Sequence, residues 1–98
     1  MKHFLLRYIL APDYLERREG LRAAHLAKAW AAADRGDLVL GGAVEGLAEA
    51  HLLFAGSGPQ IAEEFARADP YVTMGLVTAW DVREWLTVAG KDAANPVR

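Results

Sequence analysis

The stretch from Asp13 to Gly36 reads as one long amphipathic helix, and a helix of that length in a short chain needs an apolar layer to lie on. Its ends are well marked. Pro12 leads in, Asp13 can cap with Glu16 three residues on, as in a capping box, and Gly36 supplies the left-handed residue that closes the last turn. Counting about 100° per residue from Leu15 puts Leu15, Leu26, Ala29, Trp30 and Ala33 on one stripe, the face expected to meet a core. Arg22 falls in the middle of that stripe, and His25 lies at its edge. An unpaired buried charge is costly, so a guanidinium there must find a partner or line a cavity. Gly20 is the weak position, costing about 1 kcal/mol relative to Ala, and predicts a close approach or a bend.

Around this helix the chain alternates short apolar runs with turn signals. Residues 2–11 predict a first strand, with Phe4, Leu6, Tyr8 and Leu10 on the face toward the helices and His3, Leu5, Arg7 and Ile9 on a mixed face. His3 is expected at solvent or an interface. Leu38 to Val44 predicts a second strand, bulged or bent at Gly41 and Gly42. A phosphate loop is not expected there, because no helix start follows the glycines. His51 to Ala55 predicts the third strand, with His51 as an ordinary sheet residue. Ser57-Gly58-Pro59 introduces a second helix over Gln60 to Ala68, with Ile61, Phe65, Ala62 and Ala68 inward. Asp69 before Pro70 ends that helix and can cap a short turn to Met74. A last strand runs from Leu76 to Trp85, extending toward Val88, with its far end available to another chain.

The order β-α-β-β-α-β is that of a ferredoxin-like α+β fold: a four-stranded antiparallel sheet with two helices on one face. The other face is left open, and its apolar content predicts a homodimer in which two sheets press together. The 98 residues are expected to form a single domain, with a core over about 2–88 and a loose tail over 89–98. At 53% hydrophobic residues and three Trp, the chain is rich for a small monomer, which again points to surface buried in a partner.

The same composition narrows the function classes. A net charge of −2 with scattered Lys and Arg gives no nucleic-acid footprint. The absence of cysteine removes disulfides, thiol catalysis and thiolate metal sites. His3, His25 and His51 have no metal-ligand spacing, so neither metal nor cofactor is expected. Arg7 interrupts the apolar amino-terminal run, and no segment approaches a membrane span, so a soluble cytoplasmic protein is expected.

Arg22-Ala-Ala-His25-Leu26, then Gly36-Asp-Leu38 leading to Gly41-Gly42, then Phe65 with Asp69-Pro70-Tyr71, then Gly75-Leu76, resemble the YCII-related (YciI-like) proteins. The resemblance runs from about Phe4 to Trp85. It implies a dimeric α+β barrel, similar to muconolactone isomerase, and an active-site pair at His25 and Asp69. The short link between strands two and three departs from the many members that carry a longer insertion, which bears on substrate choice.

Each candidate has a plainer reading beside it. His25 is either a helix-edge histidine or a proton-transfer group, since its side chain titrates near neutrality. Asp69 is either a cap, contributing about 1 kcal/mol, or the partner of His25, and one carboxylate could do both. Asp34 is half a turn out of phase with His25 and is a poor partner. Arg22 either pairs with a carboxylate or binds a substrate anion. Tyr71 and Trp80 are expected first as packing residues, with Tyr71 also able to turn its hydroxyl into a pocket. Two function classes therefore stand. One is a small cofactor-free enzyme, a lyase or isomerase moving a proton on a small oxygenated acid. The other is a noncatalytic dimeric ligand-binding or accessory module.

Overall fold

A computed structural model describes residues 1–98. The elements are β1 (Lys2–Leu10), α1 (Tyr14–Arg17), a 3-10 turn (Arg18–Gly20), α2 (Arg22–Asp34), β2 (Leu38–Ala43), β3 (Glu49–Gly56), α3 (Gln60–Ala68), α4 (Pro70–Thr73) and β4 (Val77–Trp85). The strands form one antiparallel sheet in the order β2-β3-β1-β4. This is the expected ferredoxin-like α+β arrangement, with β1 and β3 central. No helix is long and apolar enough to cross a membrane.

Alternation along β1 works as the sequence predicts. Phe4, Leu6, Tyr8 and Leu10 are buried on the helix side, with Leu52 and Phe54 of β3 beside them. Phe65, Ala62 and Ala66 of α3, Ala32 of α2 and Tyr14 close the core from above. On α3 Ala62 and Phe65 are inward as expected, joined by Ala66, and Ile61 is half-buried; Ala68, expected inward, is exposed.

The long helix is not continuous. The chain tightens to a 3-10 turn at Arg18–Gly20 and restarts at Arg22, with Leu21 as the N-cap. A Cβ on Gly20 would meet nothing within 4 Å, so the glycine serves a bend and not a close approach. The capping box at Asp13 does not form: the Asp13 side chain makes no cap hydrogen bond and instead lies 3.6 Å from Arg17. The phase also differs from the expected one. Tyr14, Leu21, His25 and Ala32 face the core, about 100° round from the stripe counted from Leu15. Leu15, Leu26 and Trp30, expected in the core, are exposed, and so is Arg22.

In β2 the irregularity falls between Leu38 and Leu40, one step before the glycines. Gly41 and Gly42 pair in register with Leu52 and His51. Gly41 is a close approach, since a Cβ there would sit 3.1 Å from Cγ of Leu52. At the carboxyl end, β4 stops at Trp85. The chain then folds back through Asn95 N–H to Thr87 O and Val97 N–H to Val88 O. His3 is buried there, its Nδ1 2.7 Å from Oγ1 of Thr87, where solvent or an interface was expected.

Candidate functional site

The site is assembled from three places in the chain. Asp69 sits between α3 and α4, and the following Pro70 holds it extended, with ψ of 124°. That conformation turns its carboxylate back onto the start of α4, where Oδ1 accepts from the Tyr71 N–H at 3.0 Å. Asp69 is fully buried, at 0% exposure. The capping reading of Asp69 is therefore realised, and it is not the whole of its work.

His25 on the inner face of α2 points to the same carboxylate, its Nδ1 2.8 Å from Oδ1 and 3.0 Å from Oδ2. From β1, the Tyr8 hydroxyl donates to Oδ2 at 2.7 Å. An ionised carboxylate only accepts, so Nδ1 of His25 carries the proton and Nε2 is the ring nitrogen left for a ligand. The helices α2 and α4 and the strand β1 thus converge on a single buried charge, and every contact to it comes from a donor.

Aromatic rings hold the imidazole in place. Tyr71 stacks on it at 3.8 Å with planes 5° apart, and Phe65 meets it edge-on. Tyr14 abuts Tyr71 edge-on in turn, and Arg18 lies over the Tyr14 ring. Burial, reinforced by Tyr14 and partly offset by Arg22 and Arg18, pushes the Tyr71 phenol up to about 12. Burial beside the Asp69 charge pushes the Tyr8 phenol up as well. Both tyrosines are neutral hydroxyls at any physiological pH.

His25 and Tyr71 open onto a cavity of about 390 Å³ between α2 and β2. Its walls are mostly apolar and include Leu26, Ala29, Trp30 and Ala33, the stripe that the helix count had assigned to the core. Ala29 and Ala33 of that stripe also pack against the edge of the core, while Leu26 and Trp30 are exposed along the void. Arg22 and Arg18 also line the cavity, and no carboxylate does; Asp69 stands behind His25. Arg22 makes no ion pair within the chain, which leaves its guanidinium available to a ligand. The structure thus brings His25, Asp69, Tyr71 and Arg22 to one place, and Asp34 stays outside it. Sequence reasoning missed Tyr8 and Tyr14. The available signal for Tyr8 was a tyrosine at the centre of an otherwise buried strand face, whose hydroxyl must find a partner.

No curated protein sequence matches the chain. Among solved structures, the fold is similar to that of 5-chloro-2-hydroxyhydroquinone dehydrochlorinase (TftG) from Burkholderia phenoliruptrix, solved in complex with 2,5-dihydroxybenzoquinone. The TM-score is 0.72 at 24% identity, over 85% of this chain and 92% of the other. The YCII-related domain profile matches residues 1–86, most of the chain, and the protein belongs to that family.

Proposed function

We propose that this protein is a small enzyme of the lyase or isomerase kind that moves a proton on a small, oxygenated, anionic ring compound. His25 is the general base and acid through Nε2, Asp69 orients it and balances its charge, Arg22 binds the substrate anion, and Tyr71 forms the wall against which a ring lies. The observation that carries the reading is the His25–Asp69 pair set at the inner wall of an apolar cavity whose only charged lining residues are Arg18 and Arg22. A positioned base of this kind contributes roughly 10²–10⁴-fold to a proton transfer. An apolar cavity edged by cations favours a ligand with a flat apolar body and negative oxygens. The similar dehydrochlorinase, solved with a dihydroxybenzoquinone, supports that class of substrate. The exposed Ile9 and the half-buried Leu5, Leu53 and Ala55 on the open sheet face support a homodimer formed through that face.

The test uses 2,5-dihydroxybenzoquinone as probe and chloride release from chlorinated hydroxyhydroquinones as turnover assay. The expected result is micromolar-range binding that Arg22→Ala weakens, and turnover that His25→Ala abolishes while sedimentation still shows a folded dimer. Binding without turnover by any such compound would make the protein a binding module instead. A stable monomer at micromolar concentration would remove the dimer.

A further inference from the structure

We propose that Tyr8 is a positioning residue of this site: its hydroxyl, bound to Oδ2 of Asp69, sets how strongly that carboxylate holds the proton of His25. The role rests on the proton-transfer reading above, but the coupling it requires can be measured without a substrate.

Tyr8 contributes to the floor of the cavity, and its hydroxyl is committed to Asp69. It is 1% exposed, its ring is part of the core, and its hydroxyl makes one hydrogen bond, to Asp69 at 2.7 Å. A phenylalanine would fill the same volume, so packing alone does not call for the oxygen. The three donors divide the carboxylate unequally. The Tyr71 N–H is backbone and fixed by the turn of α4, the His25 proton is the one that chemistry would move, and Tyr8 is the remaining side-chain donor. A hydrogen bond to a charged carboxylate stabilises the charged form. By sharing the negative charge, Tyr8 weakens the pull of Asp69 on an imidazolium, so that His25 can return the proton it takes. Without that hydroxyl the pair holds its proton more tightly. The two groups titrate as a unit, so the effect belongs to the pair.

The other groups around the imidazole do not duplicate this role. Tyr71 from α4 and Phe65 from α3 present ring carbons to it, and Arg18 from the 3-10 turn and Arg22 from its own helix share the cavity wall. Lys28, one turn along α2, lies over Phe65. None of these hydrogen-bonds Asp69 through a side chain. Tyr8 reaches the site from β1, which is paired along both edges, and so fixes the carboxylate to the sheet.

The experiment is an NMR titration of the His25 ring in the full chain. Tyr8→Phe is expected to raise the midpoint by about half a pH unit or more, which is about a threefold gain in proton affinity. In an Asp69→Asn background the same Tyr8→Phe change is expected to move it by less than about 0.1 unit, because the hydroxyl acts through the carboxylate. An unmoved midpoint in Tyr8→Phe, or an equal shift in both backgrounds, overturns the proposal. If Tyr8→Phe does not fold, the parent decides. The Tyr8 hydroxyl proton is expected as a slowly exchanging resonance with cross-relaxation to the Nδ1 proton of His25, and its absence in the folded parent overturns the proposal equally. A shifted midpoint together with full ligand turnover in His25→Ala would sink the proton-transfer reading while leaving the Tyr8 coupling intact.

Discussion

Tyr8 and Arg7 are neighbours on β1, point to opposite faces of the sheet, and each binds an aspartate. On the helix side Tyr8 meets Asp69; on the open side Arg7 grips Asp81 with two bonds, at 2.8 and 2.6 Å. Bond lengths do not distinguish the two carboxylates, since the contacts to Asp69 run from 2.7 to 3.0 Å. Burial does. The Asp81 side chain is 44% exposed and that of Asp69 is 0% exposed. In a single copy of the chain, water can replace Arg7 at Asp81 with little loss, because an exposed pair is screened and must order two long side chains. Nothing can replace the donors around Asp69, and a buried charge that loses its partners is strongly destabilising. The comparison teaches that ideal geometry marks an interaction, while desolvation decides how much depends on it.

The largest effect follows directly. Asp69→Ala leaves the Tyr8 hydroxyl, the Nδ1 proton of His25 and the Tyr71 N–H without an acceptor, and removes the cap of α4. The expected loss is about 3–5 kcal/mol, using the range for breaking a buried pair. In a domain of this size that lowers Tm by more than about 10 °C. Calorimetry of Asp69→Ala beside Asp81→Ala measures the contrast, and equal melting temperatures would erase it. Asp69→Asn is expected to keep the cap, through its side-chain oxygen, and to lose turnover.

His25→Ala separates chemistry from stability within the buried network. It removes a donor and a stacked ring but leaves Asp69 with Tyr8 and the Tyr71 N–H. The fold is expected to survive, while proton transfer falls by roughly 10²–10⁴-fold. If His25→Ala melts as early as Asp69→Ala, the imidazole is a structural donor only.

Alkaline pH probes the same network from the tyrosine side. The folded Tyr71 phenol titrates near 12, above its ordinary value of 10, because it is buried. A group raised in this way contributes stability that is complete below pH 10 and is lost as pH climbs through 12. Tyr8 is shifted in the same direction. Melting temperature is therefore expected to fall between those limits, and to fall less in Tyr71→Phe. An unchanged slope in that variant would mean that Tyr71 is not held neutral by its surroundings.

The strands, α3 and the Asp69 turn were readable in the sequence because alternation, Pro59 and Pro70 act locally. The meeting of His25 with Asp69 came only through the family resemblance, since no local rule joins residues 44 apart. The phase of α2 was misread because counting began on Leu15. Tyr14, one residue earlier, is the true core residue, and a leucine and a tyrosine are equally good apolar markers. The stripe of Leu26, Ala29, Trp30 and Ala33 looked like a core face because a cavity wall and a core have the same composition. Tyr8 was hidden for the opposite reason: its ring satisfied the pattern of a buried strand, and the pattern is blind to where a hydroxyl points.

The smallest effect is expected at Asp81, and it sharpens the comparison most. The bond from Arg7, with Arg83 helping, holds the Asp81 carboxyl below its ordinary value of 3.8. Stability from a depressed carboxyl is present above the ordinary value and is lost as pH falls through the folded one. Asp81→Asn is therefore expected to leave the melting temperature at pH 7 nearly unchanged and to flatten its decline below about pH 4. Raising salt to about 1 M shortens the Debye length to about 3 Å, and parent and variant should then converge. The buried network should not respond, because ions do not reach a carboxylate with no exposed surface. The homodimer proposed through the open sheet face would instead cover Asp81, and the Asp81→Asn difference would then be insensitive to salt. The outcome then identifies which side of β1 is truly in water.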